Sequence, residues 1–340
     1  MKICICGGGS LGHVCAGVMA SQGDVELNIL SGHPDRWQKT ITVTDLDGKQ
    51  FIAKINRISS KPEEVISGQD IILLCLPGYL IEKTLRDIKP FVGTAAVGTV
   101  VSSTGFFFFA HDILGKDAKL LGFQRVPFIS RVAEYGKTAN LLGYKSSLAA
   151  VLENIEERES FRRDLERLFM TPVTLLSSFY EVALSNSNPI LHTGRLYSMF
   201  YGREDEVFDH NILFYKEWTD EASQLLIDMD AEFFQLLDRL NVHSLPTLLD
   251  YYESTDAASL TRKIQSIPAF QTITSPMKLV EGGWMVDFES RYFTEDFPFG
   301  LKWIRELCSK YRLYAPKISE VYSWGERGIL GYNSTDNVFE

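Results

Sequence analysis

The chain has 340 residues and a formal net charge of −10 at pH 7. Its length allows two domains with cores of their own, and its 45% hydrophobic and 23% charged residues are typical of a globular protein. The negative charge argues against a nucleic-acid partner, because phosphate backbones are bound by basic surfaces. No apolar run approaches the ~20 residues that a membrane span requires.

The chain begins with a short strand, a glycine-rich turn and a helix. Lys2–Cys6 is apolar and rich in β-branched residues, and GGGSLG follows at 7–12. This segment fits GxGxxG, in which the first glycine permits a tight turn, the second lets a pyrophosphate approach the backbone, and the third lets the helix pack closely. The helix N-terminus offers free N–H groups to phosphates. Five residues are therefore predicted to contact a dinucleotide: Gly7, Gly9, Ser10, Leu11 and Gly12.

The end of the second strand indicates which dinucleotide is bound. An NAD enzyme usually has Asp or Glu there to bind the ribose hydroxyls. Here the strand Glu26–Leu30 ends at Ser31, which carries no charge to repel a 2′-phosphate, and Arg36 follows closely. We therefore favour NADP(H) over NAD(H), with Ser31 and Arg36 as cofactor-binding residues. Asp35 could instead serve a ribose, which leaves NAD(H) open.

The rest of the first half alternates strands and helices. Thr40–Arg57 is predicted to form a hairpin, and Asp70–Cys75 is a continuous apolar strand typical of a parallel sheet covered on both faces. Leu76 and Pro77 follow this strand at the carboxyl edge, where such sheets bind ligands, so they are predicted to contact the cofactor. We predict an α/β Rossmann-type dinucleotide-binding domain over residues 1–176.

From residue 177 onward the strand patterning nearly stops, so residues 177–340 are predicted to form an all-α substrate domain. The clearest helix is Thr219–Leu240, with Thr219 as its N-cap. The tail Asn333–Glu340 is expected to be loosely held. The five cysteines form no CxxC pair, which suggests buried, reduced thiols in a cytoplasmic protein. The sequence has no His/Cys cluster with the spacing of metal ligands, so we predict no zinc site.

Two polar groups stand out in the apolar, helical second half. One is Asn188-Pro189 leading to His192, and the other runs from Arg291 to Asp296 among aromatic residues. If the fold brings them together, an Asp accepting a hydrogen bond fixes the tautomer of the His and raises its basicity. An Arg beside them would bind a carboxylate through two parallel hydrogen bonds. His192 could also be a buried structural histidine, and Asp296 a helix N-cap.

Several segments resemble the octopine/nopaline (opine) dehydrogenase family, in order over nearly the whole chain. They are GGGSLG (7–12), VPFISRVAEYGKTANLLGYK (126–145), NPILHTGRL (188–196), FYKEWTDEASQLLIDMDAE (214–232) and RYFTEDFPFGL (291–301). The Asn-Pro-x-x-His and Arg-x-x-x-x-Asp-x-Pro elements are the most specific of them. Where family members often carry an amide, this chain has Ser102-Ser103-Thr104, which leaves the substrate open.

The resemblance implies an enzyme that uses NAD(P)H to condense an amino acid with a 2-oxo acid. It implies that His192 is the general acid/base, that Asp296 is its partner and that Arg291 binds a substrate carboxylate. Asn188 either braces the turn before His192 or contacts the substrate. The expected partners are these small molecules, and a homodimer is compatible with the sequence, which does not fix the oligomeric state.

Two other functions stay open. A ketopantoate-reductase-like enzyme would reduce a 2-oxo acid without an amine, but the expected lysine is absent from the His192 and Asp296 segments. A catalytically silent NADP-binding regulator would need the glycines only, so the presence of His192, Arg291 and Asp296 argues against it.

Overall fold

The computed structural model describes residues 1–335. The chain divides into two compact units, the first from Met1 to Ser185 and the second from Asn186 onward. Helix continues to Thr335, so the tail predicted to be loose is helical at its start, and residues 336–340 lie outside the described residues. Within the described part, no helix is both long and apolar enough to cross a membrane.

The described residues contain thirteen strands, of which eleven form one sheet in the first unit and two form a hairpin in the second. They are β1 (Lys2–Cys6), β2 (Glu26–Leu30), β3 (Thr40–Asp45), β4 (Gln50–Ser59), β5 (Ile71–Leu74), β6 (Ala96–Thr99), β7 (Leu120–Phe123), β8 (Phe128–Glu134), β9 (Thr138–Tyr144), β10 (Leu148–Glu153), β11 (Val173–Leu175), β12 (Met277–Val280) and β13 (Gly283–Val286).

The helices alternate with these strands in the first unit and dominate the second. They are α1 (Ser10–Ala20), α2 (Pro62–Val65), α3 (Gly78–Ile88), α4 (Phe106–Ile113), α5 (Arg158–Phe169), α6 (Tyr180–Ala183), α7 (Asn188–Phe200), α8 (Asp220–Arg239), α9 (Leu248–Tyr251), α10 (Ala257–Ser266), α11 (Arg291–Thr294), α12 (Lys302–Lys310) and α13 (Pro316–Thr335). A π-helical turn, Phe297–Leu301, lies between α11 and α12.

The centre of the large sheet has the strand order of a dinucleotide-binding fold. Strands β4, β2, β1, β5, β6 and β7 are neighbours in that order, and each adjacent pair is parallel. This order matches 3-2-1-4-5-6 once the extra strand β3 is set aside. The hairpin predicted over Thr40–Arg57 is confirmed as the antiparallel pair β3–β4. The predicted Rossmann-type domain is therefore confirmed.

Strand β1 shows why the sheet needs a helical layer on each face. Successive side chains of a strand point to opposite faces. Ile3 and Ile5 pack into the hydrophobic cluster that contains α1 and α5, whereas Cys4 and Cys6 pack into the one that contains α3 and α4. All five cysteines are buried and free of disulfide bonds, as expected.

The first unit extends past the predicted boundary at residue 176. The Gln124 amide donates to the Glu181 carbonyl, and the Ser185 hydroxyl donates to the Gln124 carbonyl, both at 3.2 Å. Val182 lies in a core of the first unit. These contacts hold residues 177–185 to the nucleotide domain, so the division falls after Ser185.

The second unit is predominantly helical, as predicted. The Thr219 hydroxyl caps α8 by accepting a hydrogen bond from the Ala222 N–H at 3.2 Å, which confirms the predicted helix start. Gly194 of α7 lets the two helices approach, because a Cβ there would lie 2.8 Å from Leu226 Cδ1. The antiparallel hairpin β12–β13 departs from the predicted all-α domain. Each of its two strands is only four residues long.

Candidate active site

The turn after β1 has the shape that a pyrophosphate site requires. Gly7 has φ +126°, and a Cβ there would collide with the Cys75 carbonyl oxygen, while a Cβ on Gly12 would collide with the Gly7 carbonyl oxygen. Gly9, at the N-cap of α1, is exposed, and no atom of the described residues lies within 4 Å of the position of a Cβ. Among the residues that the structure describes, no side chain caps this helix. The open space and free helix N-terminus fit a dinucleotide phosphate.

The other predicted residues of this turn lie beside it. The Ser10 hydroxyl accepts a hydrogen bond from the Val132 N–H at 3.0 Å, which ties the helix start to β8. Leu11 is half-buried behind the turn, and Leu76 lies 3.0 Å from the Cβ position of Gly7. Pro77 is the N-cap residue of α3. The structure thus brings the residues after β1 and those after β5 to one edge of the sheet.

A buried histidine supports the phosphate turn. His13 Nε2 accepts a hydrogen bond from the Gly136 N–H at 2.7 Å, so Nδ1 carries the hydrogen and donates to the Gly9 carbonyl at 3.0 Å. Its ring stacks on Trp37 with centroids 4.2 Å apart. Burial lowers the pKa of His13, which keeps the ring neutral in this role.

Ser31 and Arg36 differ in their availability to a ligand. Ser31 is 5% exposed, and its hydroxyl oxygen accepts hydrogen bonds from the His33 N–H and Trp37 Nε1–H at 3.2 and 3.1 Å. This burial does not support the direct cofactor contact predicted for the Ser31 hydroxyl. Arg36 is exposed, and its guanidinium carbon lies 4.4 Å from the centroid of the Tyr135 ring.

His192 and Asp296 form a hydrogen-bonded pair in the second unit. His192 Nδ1 lies 2.8 Å from Asp296 Oδ2, and their side chains are 12% and 16% exposed. The pair forms because the start of α7 packs on the π-helical turn that follows Asp296: a Cβ on Gly300 would lie 2.5 Å from Pro189 Cγ. The predicted pairing is confirmed. A carboxylate that accepts from Nδ1–H fixes the ring hydrogen on Nδ1 and leaves Nε2 with a free lone pair.

Sequence reasoning missed the partner of that second nitrogen. The Tyr215 hydroxyl lies 3.0 Å from His192 Nε2, and it donates the hydrogen bond because Nδ1 carries the ring hydrogen. Burial, followed by the neighbouring Tyr292, Tyr252 and Asp296, raises the pKa of Tyr215 well above its ordinary value, so the phenol keeps its proton. The Tyr215 ring stacks on Phe270 at 4.1 Å, which fixes its position.

A buried arginine holds the segment that carries Tyr215. Arg195 Nε and Nη2 donate to the carbonyl groups of Phe214 and Glu217 at 3.1 and 2.7 Å, and the guanidinium lies over the Trp218 ring. Burial lowers the pKa of Arg195 to about 10. The only signal in the sequence was an arginine three residues after His192, about one turn further along the same helix.

The structure does not bring Arg291 to the His192–Asp296 pair. The Arg291 side chain is 86% exposed, and its guanidinium lies 3.9 Å from the Glu295 carboxylate. Its neighbour Tyr292 takes the place beside His192, with ring centroids 4.8 Å apart. Asn188 is the first residue of α7 and is half-buried; its N–H donates to the Asn186 side chain, so Asn186 braces this turn.

Comparisons with known proteins agree with this geometry. The family model described as "NAD/NADP octopine/nopaline dehydrogenase, alpha-helical domain" matches residues 175–328. Octopine dehydrogenase of Pecten maximus is 27% identical over 362 residues, covering 97% of this chain and 90% of its own. Tauropine dehydrogenase of Arabella iricolor is 27% identical over 363 residues, covering 95% of this chain and 90% of its own.

A solved structure of octopine dehydrogenase with NADH and L-arginine has the same fold throughout. It superposes with a TM-score of 0.83 and 25% sequence identity, covering 97% of this chain and 89% of that one. The sequence similarity and the structural similarity both extend through the nucleotide domain and the helical domain. The helical domain of this chain matches the octopine/nopaline dehydrogenase family model, and the chain is similar to opine dehydrogenases over nearly its whole length.

Proposed function

We propose that the protein is an NAD(P)H-dependent opine dehydrogenase, which condenses a 2-oxo acid with the amino group of an amino acid and reduces the product. The observation that carries this proposal is the Asp296–His192 pair, with Nε2 of the histidine presented to a hydroxyl group. The match of the helical domain to the octopine/nopaline dehydrogenase family model, the similarity to opine dehydrogenases and the glycine turn of the nucleotide domain support it.

The role proposed for His192 is to move one proton. The amine adds to the keto carbon, and the resulting ammonium centre passes a proton to His192 Nε2. The carbinolamine then loses its hydroxyl as water, with that proton returned by His192 Nε2. Asp296 stabilises the imidazolium before this transfer and fixes the tautomer after it. In the free protein the Tyr215 hydroxyl occupies Nε2, and the substrate hydroxyl would take its place. A bound reduced nicotinamide supplies the hydride that converts the imine to a secondary amine.

We propose that Arg291 and Asn188 bind the substrates. The Arg291 side chain is exposed, and the next residue, Tyr292, contacts His192. Rotation of the long Arg291 side chain would let its guanidinium bind a substrate carboxylate. The side-chain amide of Asn188 makes no hydrogen bond within residues 1–335, and it lies one helical turn before His192. An amide in that position can both donate to and accept from a substrate.

NADP(H) is the cofactor that the end of β2 favours over NAD(H). Ser31 places no carboxylate there, and Arg36 is exposed and held on an aromatic ring. A guanidinium suits the 2′-phosphate, and a carboxylate would repel it. The buried, free thiols support a location in the cytoplasm, where the environment is reducing. A homodimer stays a prediction that sedimentation equilibrium can measure.

The direct test follows the oxidation of NADPH and of NADH with pyruvate or another 2-oxo acid, with and without a panel of amino acids. Oxidation that requires both substrates is the expected result. Oxidation by the 2-oxo acid alone would identify a simple 2-oxo acid reductase instead. Tight cofactor binding without turnover on a broad panel would identify a silent regulator.

A further inference from the structure

The Tyr135 hydroxyl lies at the carboxyl ends of β1 and β2. Tyr135 belongs to the turn between β8 and β9, yet its hydroxyl is 3.1 Å from Ser31 Oγ, immediately after β2. It also lies against Gly8, where a Cβ would collide with the phenol oxygen. In this fold the ribose of the adenosine binds at this edge, beside the first glycines and the end of the second strand. Tyr135 therefore lies where an acidic residue binds the ribose of NAD.

The hydrogen bonds around Ser31 leave the hydroxyl hydrogen of Tyr135 free to bind a ligand. A serine hydroxyl has two acceptor sites and one donor. The His33 N–H and Trp37 Nε1–H fill both acceptor sites of Ser31, so its own hydrogen must donate to the Tyr135 oxygen. Within residues 1–335 the Tyr135 O–H has no acceptor. It is an oriented donor that adds no negative charge to this edge.

Arg36 places a positive charge beside that donor. Its guanidinium carbon lies 4.4 Å from the centroid of the Tyr135 ring, and it forms no ion pair in the described part of the chain. The stacking restrains a side chain that is otherwise exposed. Glu134, the acid preceding Tyr135, is paired with Lys137. A neutral donor and an unpaired guanidinium together suit a phosphate dianion better than a ribose hydroxyl.

We propose that Tyr135 is the residue that distinguishes NADP(H) from NAD(H), by donating a hydrogen bond to the 2′-phosphate and by holding Arg36 in position to bind the same group. The inference rests on the proposed use of an adenine dinucleotide but not on the reaction. Ser31, to which sequence reasoning assigned the contact, acts through Tyr135 by setting the direction of its hydroxyl hydrogen.

Binding of adenosine fragments tests the proposal without turnover. Calorimetry compares adenosine 2′,5′-bisphosphate with 5′-AMP, which differ only in the 2′-phosphate. In the unaltered protein the bisphosphate should bind more tightly. Tyr135→Phe should reduce that preference by about tenfold, because it removes one hydrogen bond to a charged group. Arg36→Ala should reduce it at least as much, while 5′-AMP affinity stays within about twofold in both variants.

Tyr144→Phe is the matched control, because it removes a hydroxyl from the same β8–β9 hairpin that bonds to Asp45 and not to Ser31. It should leave the preference unchanged, and thermal melts should show that all three variants are folded. An unchanged preference in Tyr135→Phe, or no preference in the unaltered protein, overturns the proposal. Either result leaves the proposed reaction intact, because the reaction is measured separately by coupled oxidation of NADPH or NADH.

Discussion

His192 Nδ1 lies 2.8 Å from Asp296 Oδ2, although 104 residues separate them in the sequence. This contact fixes the tautomer of the histidine: the ring hydrogen lies on Nδ1, and Nε2 is the atom that we propose exchanges a proton with the substrate. The short distance follows from the packing of α7 on the π-helical turn after Asp296.

Replacing His192 should abolish proton transfer and leave cofactor binding intact. His192→Ala should lower turnover by roughly a hundredfold or more, because general acid–base catalysis contributes about that much. The dissociation constant for NADPH should stay nearly the same, since the glycine turn belongs to the other unit. Steady-state kinetics and fluorescence titration measure the two quantities. His210→Ala, at an exposed histidine paired with Asp209, is the control. Near-normal turnover in His192→Ala would sink the assignment.

Replacing Asp296 by its amide tests the pairing itself. Asp296→Asn keeps the size of the side chain but cannot stabilise an imidazolium, and its NH₂ group can favour the wrong tautomer of His192. Turnover should fall by about a hundredfold with little change in thermal stability. Glu289→Gln, at an exposed carboxylate in the same segment, should have no such effect. Equal activity of the two variants would mean that the carboxylate only caps the following turn.

The glycine turn gives a pair of variants with opposite effects. Gly9→Ala should change the free energy of unfolding by no more than about 1 kcal/mol, because its Cβ enters open space in the free protein. It should nevertheless weaken NADPH binding at least about tenfold, because the Cβ blocks the approach of the phosphate. Gly12→Ala should destabilise the fold itself, because its Cβ collides with the Gly7 carbonyl oxygen. Thermal unfolding and cofactor titration separate the two effects. Similar stability of the two variants would contradict this account of the turn.

Local patterns predicted much of the fold. The bounds of β1 and β2, the β3–β4 hairpin and the Thr219 cap each depend on residues close together in sequence. The hairpin β12–β13 was not predicted, because strands of four residues carry too little alternation to recognise.

The site was predicted only where residue chemistry is unusual. A histidine following Asn-Pro and an acid among aromatic residues attract notice in a helical domain. Tyr215 does not, because it is one tyrosine among 14, and its contact with His192 depends on the packing of a separate segment. Tyr135 was missed for the same reason: 104 residues separate it from Ser31.

A buried carboxylate outside the site should govern the pH dependence of stability. Burial raises the pKa of Asp230 from 3.8 to about 6. The hydrogen bond that its carboxylate accepts from the Leu248 N–H lowers the pKa and so offsets part of this effect. The folded state thus binds the proton more tightly. The stabilisation is fully present below pH 3.8 and is lost as the pH rises through about 6, with a size of about 3 kcal/mol.

Asp230→Asn should therefore flatten the loss of stability between about pH 4 and pH 6, since an amide accepts the same hydrogen bond and never ionises. Urea unfolding across this range gives the free energy of unfolding at each pH. Asp238→Asn, at an exposed acid on the same helix, is the control. If Asp230→Asn shows the same slope as the unaltered protein, Asp230 is not the group responsible.

The fate of the hydride tests most directly whether the protein condenses a 2-oxo acid with an amino acid. The protein is incubated with a 2-oxo acid, an amino acid and NADPH deuterated at the reactive carbon of the nicotinamide, and the products are identified by mass spectrometry. We expect a secondary amine that joins the two substrates and carries one deuterium on the former keto carbon, with one water released. A deuterated 2-hydroxy acid, with the amino acid left unchanged, would contradict it.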